Sequence, residues 1–531
     1  MTQVQLYDTT LRDGAQREGI SFTVEDKLRI ATRLDVFGID FIEGGWPGAN
    51  PKDDEFFAKA KSLALSHALL TAFGSTRRPN TRAEDDPNLR ALLEAGTKVV
   101  TLVGKSWEHH VTQVLETTLG ENLRMISESI AYLKSKGKRV FFDAEHFFDG
   151  YKANAEYAID TIKAAAEAGA ECIILCDTNG GTVPSEVTTI FATARKATDV
   201  PLGIHAHNDA ELAVANTLAA VQAGATQVQG TINGYGERCG NANLCSIIPA
   251  LKLKMGIDCV TEEQLAKLTE LAHYVSEIAN LALDSHLPYV GASAFAHKAG
   301  LHVAAMIKWD ESYHHIDPDR VGNQWRTLVS ELSGKGGIAY KARERGLELA
   351  AEGDQARAIL GRVKDMESRG FQYDGAEASF ELLVRRAQPD YRPLFELVDF
   401  MVVVEKRRRP STLEGEELLS EAVVKVKVGG DVIHTAAGGN GPVNALDAAL
   451  RKALLVFYPS LRAVRLVDYK VRAIEETAGT ASRVRVLIES SDGEHEWRTV
   501  GSSTNIIEAS WLALADSLEY WLLKKGVIAP K

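Results

Sequence analysis

The chain has 531 residues, 45% of them hydrophobic and 25% charged, enough for two or more domains with full-sized cores. Its net charge of −12 is spread along the length, and the sharpest cationic run, Arg407-Arg-Arg409, is too short for a phosphate-binding face, so nucleic acid is excluded as a partner. Five cysteines are too few for a disulfide framework, no apolar run reaches the roughly 18–20 residues of a membrane span, and no basic or apolar leader opens the chain, which together predict a cytoplasmic protein.

From residue 4 to about 236, short apolar runs alternate with amphipathic helical patterns. The runs are Val4–Leu11, Asp40–Gly44, Leu69–Gly74, Lys98–Gly104, Arg139–Glu145, Cys172–Asp177, Leu202–His207 and Gln227–Ile232. Between them lie segments such as the one opened by Thr23, a capping residue followed by acids in the first turn. Eight strand–helix units predict an α/β fold, a TIM (β/α)8 barrel, over residues 1–260. An open dinucleotide-binding sheet would place a glycine-rich turn after its first strand; here that place is taken by Asp8-Thr-Thr-Leu-Arg-Asp-Gly14. Cys172 and Cys176 fall in a strand pattern and read as buried core thiols.

Residues 261–400 turn mainly helical, broken by glycine-rich turns such as Ser333-Gly-Lys-Gly-Gly337, and read as accessory subdomains. The charged stretch 405–417 ends them as a linker or exposed loop. Residues 401–531 carry an internal repeat at an offset of 61 positions: Glu421–Val428 matches Ser482–Glu489, and Asn444–Leu450 matches Asn505–Trp511. A duplicated strand–strand–helix unit predicts an α+β domain, suited to regulation or assembly because it lacks the chemistry-bearing groups of the barrel. The turns at Gly441, Pro442 and Asn444 and at Ser503 and Asn505 either hold an amino acid's carboxylate on backbone N–H groups or are plain strand-to-helix turns.

In a TIM barrel, residues at the carboxyl ends of the strands converge on one mouth. Those positions hold Arg12 and Asp13, Glu43, Glu145 and His146, Asp177 to Asn179, His205 and His207, and Asn233 to Asn241. His205 and His207, two apart on a strand, point to the same side. With Asp13 they supply three O and N ligands, and the Asn241 amide oxygen offers a fourth. Such a set, free of thiolate, suits Mg²⁺, Mn²⁺ or Zn²⁺ acting as a Lewis acid on a chelating 2-oxo acid. Asp13 beside Gly14 also reads as a turn residue. Arg12 either stabilises charge on a carbonyl oxygen or pairs with Glu43, and Glu145 is a candidate base, an orienting carboxylate or a solvated strand-end acid. A hydrolase of the amidohydrolase type also sets His-X-His in such a barrel, but on the first strand and with a lysine this chain lacks at the end of its sixth.

Asp8-Thr-Thr-Leu-Arg-Asp-Gly14, Ile204-His-Ala-His-Asn-Asp209 and Asn233-Gly-Tyr-Gly-Glu-Arg-Cys-Gly-Asn241 resemble the signatures of the 2-isopropylmalate, homocitrate and citramalate synthase family, over nearly the whole chain. The resemblance implies condensation of acetyl-CoA with a 2-oxo acid and thioester hydrolysis. It implies that Asp13, His205, His207 and Asn241 hold the metal, that Arg12 polarises the carbonyl with support from Glu43, that Thr178 contacts the oxo acid and that Glu145 is the catalytic carboxylate. It also implies a homodimer, in which His302 and Tyr340 enter the mouth from a partner subunit. The wording Leu11–Gly19, Gly45-Trp-Pro-Gly48 and Phe142–Gly150 resembles the branch whose acceptor is pyruvate, with isoleucine as the expected inhibitor. The alternatives are the branch that accepts 2-oxoisovalerate for leucine biosynthesis, a catalytically silent amino-acid sensor, and a carbon–carbon lyase. Residues near Phe73–Thr76, Gly104–Trp107 or Phe142–Asp143 would decide the acceptor, since a methylene is worth roughly 1–3 kcal/mol.

Overall fold

The computed structural model describes residues 4–328, 335–344, 354–373, 375–405, 419–474 and 482–528. The chain divides into two compact units, one formed by residues 1–295 and 314–325, the other by residues 296–313 and 326–531.

In the first unit β1 (Gln5–Asp8), β2 (Phe41–Gly45), β3 (Leu69–Ser75), β4 (Val99–Lys105), β5 (Arg139–Glu145), β6 (Cys172–Asp177), β7 (Leu202–Ala206) and β8 (Gln227–Gly230) close into a barrel in sequence order. Every pairing is parallel, and β8 returns to β1 through Gln5 opposite Gln227. The expected TIM barrel is therefore present. Alternation along each strand divides two cores. Leu6, Ile42, Ala72, Val100, Val140, Ile173 and Leu202 face the surrounding helices, whereas Tyr7, Phe41, Val99, Phe141, Cys172, Ile174 and Cys176 fill the barrel's own interior. The first helix, Val24–Phe37, starts on a reciprocal cap: Thr23 accepts from the Asp26 N–H while Asp26 accepts from that of Thr23.

β1, β7 and β8 stop sooner at their carboxyl ends than the apolar runs suggested, whereas β2, β3 and β4 run one residue further. β1 ends at Asp8, whose carboxylate accepts from the Thr10 N–H and hydroxyl, turning the chain so that Leu11 is buried and Arg12 and Asp13 are delivered to the mouth. β7 ends at Ala206, and His207 continues extended through a single bridge to Asn241.

After β3 the chain forms one wall of the mouth around Arg77, which is buried and donates to Glu121 at 2.8 Å and to Glu128 at 2.8 Å. Hydrogen bonds from Arg77, Asn80 and Arg124 outweigh burial and draw the Glu121 carboxyl down from 4.5 to about 2. A carboxylate depressed in the folded state contributes stability above its unfolded value and loses it as pH falls through the folded one. A Glu121→Gln variant is therefore expected to unfold more easily at pH 7 and to lose part of the wild-type acid slope between about pH 4.5 and about pH 2, read from urea midpoints against pH.

The second unit holds the short pair β9 (Ala296–His297) and β10 (Arg326–Thr327), the helix Gly300–Lys308 and, among its described residues, the helices Lys335–Glu344, Asp354–Ser368 and Glu377–Arg386. It also holds two antiparallel sheets: β11 (Glu396–Glu405), β12 (Leu419–Val428) and β13 (Asp431–Gly439), then β14 (Arg465–Ala473), β15 (Val484–Ser491) and β16 (Glu496–Ser503). Each is followed by a helix, Pro442–Leu454 and Ile506–Lys524. The duplication is real, but each copy has a third strand, and the expected boundary at 400/401 falls inside β11.

The register of the repeat also differs. Thr435 donates to the Ala449 carbonyl at 2.8 Å, and Thr499 to the Ala513 carbonyl at 2.8 Å. Val424 faces Thr435, and Ile488 faces Thr499. Each of these equivalences, like Gly441 with Asn505 at the helix starts, is 64 positions apart rather than 61. An alternating strand and a helix start tolerate such a slip in local pattern; cross-strand pairing does not. The linker expected at 405–417 lies outside the described residues except for Glu405, as does the 333–334 part of the glycine-rich turn. No helix among the described residues is long and apolar enough to cross a membrane.

Candidate active site

At the carboxyl end of the barrel lies a cavity of about 390 Å³, lined by Arg12, Asp13, Glu145, Thr178, His205 and His207 among others. Asp13 is 3% exposed, His205 5% and His207 7%. Asp13 Oδ2 lies 3.2 Å from His205 Nε2 and 3.9 Å from His207 Nε2, and the two Nε2 atoms are 3.4 Å apart. One ligand atom from each of the three falls within 4.8 Å of the others, the convergence a small divalent ion needs. Burial and the neighbouring His205 push His207 down to about 4, so its ring is neutral at pH 7 with a lone pair to give. Burial opposes the charge of Asp13, but Arg12 and the histidines hold its carboxyl well below the usual carboxylate range.

Asn241 sits where its amide completes the set. Its Nδ2 donates to Asp13 Oδ2 at 2.8 Å and lies 3.3 Å from His205 Nε2, so the nitrogen, not the expected oxygen, faces the cluster. Asn241 Oδ1 and His207 Nδ1 are buried with no hydrogen-bond partner among the described residues. A half-turn of the amide exchanges its two ends and aims the orphaned oxygen at the cluster. Gly236 makes room for that amide: a Cβ there would lie 2.0 Å from Oδ1. The donor chemistry and the orphaned oxygen thus fit a divalent ion.

Arg12 makes the pair with Glu43 and also lines the cavity. Its Nε donates to Glu43 Oε1 at 2.6 Å, and its guanidinium carbon lies 3.9 Å from the centre of the Phe73 ring at the cavity wall. Glu43 is fully buried, with its second oxygen accepting from the Tyr7 hydroxyl at 2.5 Å. Glu145 lines the cavity in an ion pair with Lys105. The Thr178 hydroxyl accepts from the His146 N–H at 2.9 Å, and the Thr178 carbonyl accepts from Arg238 at 2.7 Å. Arg238 also grips Asp209, tying the loops after β6, β7 and β8 together.

The remaining expected residues lie in the second unit. His302 is half-buried on the helix Gly300–Lys308, its ring stacked on Tyr313 with centroids 4.1 Å apart, and Tyr340 is half-buried on the helix Lys335–Glu344. At one candidate regulatory turn Asn505 accepts from the N–H groups of Ile507 and Glu508, while Ser503 Oγ accepts from the Asn505 N–H and donates to Glu508. At the other, Gly441 precedes Pro442 without a side-chain cap, and Asn444 Oδ1 accepts from the Asn440 N–H at 3.2 Å. Both sets of contacts are those of strand-to-helix turns.

Sequence reasoning passed over Tyr7 and Gln229, and it took in Lys105 and Asp143 only within the stretches Gly104–Trp107 and Phe142–Asp143 that would decide the acceptor. Asp143 and Lys105 had a usable signal. Asp143 is two residues from Glu145 on β5 and shares its face, and Lys105 ends β4 opposite Glu145.

Three family models cover most of the chain. One described as HMGL-like matches residues 3–275, one as homocitrate synthase post-HMGL domain-like matches 289–370, and one as LeuA allosteric (dimerisation) domain matches 374–522. The (R)-citramalate synthase of Geobacter sulfurreducens is 56% identical, with 99% of each chain covered, and that of Aquifex aeolicus 53% identical, with 98% of each covered. A probable 2-isopropylmalate synthase of Methanopyrus kandleri is 32% identical over 96% of each chain. With its signatures set around one barrel mouth and near-full-length relatives at more than half identity, this chain belongs to the (R)-citramalate synthase family.

Proposed function

We propose that the barrel mouth of this chain joins acetyl-CoA to pyruvate and hydrolyses the resulting thioester, giving citramalate and CoA, the family's reaction, in the cytoplasm. The observation that carries the assignment of the site is the convergence of Asp13, His205 and His207 beside Arg12 in one cavity. Asp13, His205 and His207, joined by Asn241 after its amide turns, would hold Mg²⁺, Mn²⁺ or Zn²⁺, which when bound supplies Lewis acidity to the oxo acid.

The chain's own groups do the rest. Arg12, locked by Glu43 and set over the Phe73 ring, presents fixed positive charge where negative charge grows on the keto oxygen. Thr178 and Arg238 fix the rim against which the acceptor lies. Glu145, fixed at the cavity wall by Lys105, is the group we assign to proton removal from the acetyl methyl. We assign His302 and Tyr340 to a partner copy's contribution to the mouth, in keeping with the match to a dimerisation domain.

A panel assay following CoA release tests the acceptor. Turnover with pyruvate is expected to exceed that with 2-oxobutyrate, 2-oxoisovalerate and 2-oxoglutarate; faster turnover with 2-oxoisovalerate would sink the assignment. Isoleucine added to the same assay is expected to inhibit, through residues 374–522.

A further inference from the structure

The interior of the barrel carries a polar chain that the reaction scheme does not use. His205 Nδ1 lies 2.9 Å from Gln229 Oε1, and Gln229 Nε2 donates to Asp143 Oδ1 at 3.3 Å. His205 on β7 is the cross-strand partner of Gln229 on β8, whereas Asp143 reaches the amide from β5, across the barrel. Gln229 is fully buried, and Asp143, 3% exposed, also lines the cavity.

The direction of the chain follows from which groups can donate. A carboxylate oxygen only accepts, so the Gln229 amide must turn its nitrogen to Asp143. Its carbonyl then faces His205, and Nδ1 must carry the proton to donate to it. Nε2, which faces Asp13 and His207, is thereby the ring nitrogen free to give its lone pair to an ion. Burial beside Glu43 pushes the Asp143 carboxyl up to about 7, but a proton taken on Oδ2 leaves Oδ1 accepting, so the direction survives.

We propose that Asp143, acting through Gln229, is a positioning residue that holds the His205 imidazole in the tautomer that offers Nε2 to the metal. This rests on the metal-site reading above. A chain with a fixed direction spares the site the cost of choosing a tautomer when the ion arrives, and partners that orient a ligating histidine are worth about 10–100-fold in metal affinity.

The test is Mn²⁺ titration of the full-length protein without pyruvate or acetyl-CoA, followed by electron paramagnetic resonance. Wild type is expected to bind one ion and His207→Ala none. Gln229→Leu, which removes the acceptor, is expected to bind about 10–100-fold more weakly. Gln229→Glu keeps an oxygen on His205 while sharing a proton with Asp143, and should stay near wild type. Asp143→Asn lets the amide flip and should give a smaller loss; being isosteric, it carries the test if Gln229→Leu does not fold. Wild-type affinity in Gln229→Leu or Asp143→Asn overturns the relay, as does Gln229→Glu binding as weakly as Gln229→Leu, which would mean packing alone. Failure of wild type to bind Mn²⁺, or equal binding by His207→Ala, overturns the metal site and the relay with it, and shows before the Gln229 variants are compared.

Discussion

Asp13→Ala and His207→Ala are each expected to abolish CoA release, by on the order of 10³-fold or more, while leaving a folded barrel. The magnitude follows from what the ion supplies. Lewis-acid stabilisation of a developing oxyanion is worth several kcal/mol, and each factor of ten in rate is about 1.4 kcal/mol. The cost to the fold is smaller. Removing Asp13 leaves the buried Asn241 amide without its 2.8 Å acceptor, an orphan worth about 1–3 kcal/mol. His207 has no other role visible in the barrel, since its Nδ1 makes no hydrogen bond among the described residues. Circular dichroism and thermal unfolding should therefore change little in His207→Ala while turnover vanishes. Retained turnover in either variant would remove the metal from the mechanism.

The barrel was legible because eight apolar runs of strand length alternate with amphipathic segments, a pattern that local periodicity carries by itself. Asp13 and the two histidines were legible for a topological reason: once the strand ends are known, residues distant in sequence must meet at one mouth. What stayed hidden depends on contacts across the barrel. Tyr7 and Gln229 read as ordinary strand positions, and their polarity matters because both are fully buried. The Asn241 amide is a second case, since a spacing names the residue but not which end of the side chain faces inward. The repeat is a third. Its existence shows in composition, whereas its offset of 64 and its third strand show only in cross-strand pairing. Glu396–Phe400 followed a helical stretch and was counted with it, although it belongs to β11, which pairs along its length with β12.

Arg12→Lys is the second substitution with a large expected effect, because it separates charge from geometry. The arginine meets three groups at once: Glu43 through Nε at 2.6 Å, the Phe73 ring at 3.9 Å and Asp13 Oδ2 at 3.6 Å from a terminal nitrogen. Lysine keeps the charge but is a point donor on a flexible stem, without the planar fork that reaches Glu43 and the cavity from over the ring. A fold that needs only a cation beside Glu43 will hold, so the unfolding midpoint of Arg12→Lys should stay close to wild type. Turnover should fall on the order of 10²-fold, since loss of one preorganised donor to a developing oxyanion costs about 2.7–4 kcal/mol. Arg12→Ala differs in kind. It strands Glu43, fully buried with only the Tyr7 hydroxyl left among the described residues, and breaking a buried ion pair from one side costs about 3–5 kcal/mol. That variant should lose stability as well as turnover, and an added Glu43→Gln change should recover the stability without the activity. The split between kcat and KM reads the role directly: a group that acts on the growing negative charge lowers kcat in Arg12→Lys, whereas one that only anchors pyruvate raises KM. Wild-type kcat in Arg12→Lys would reduce Arg12 to the counter-ion of Glu43.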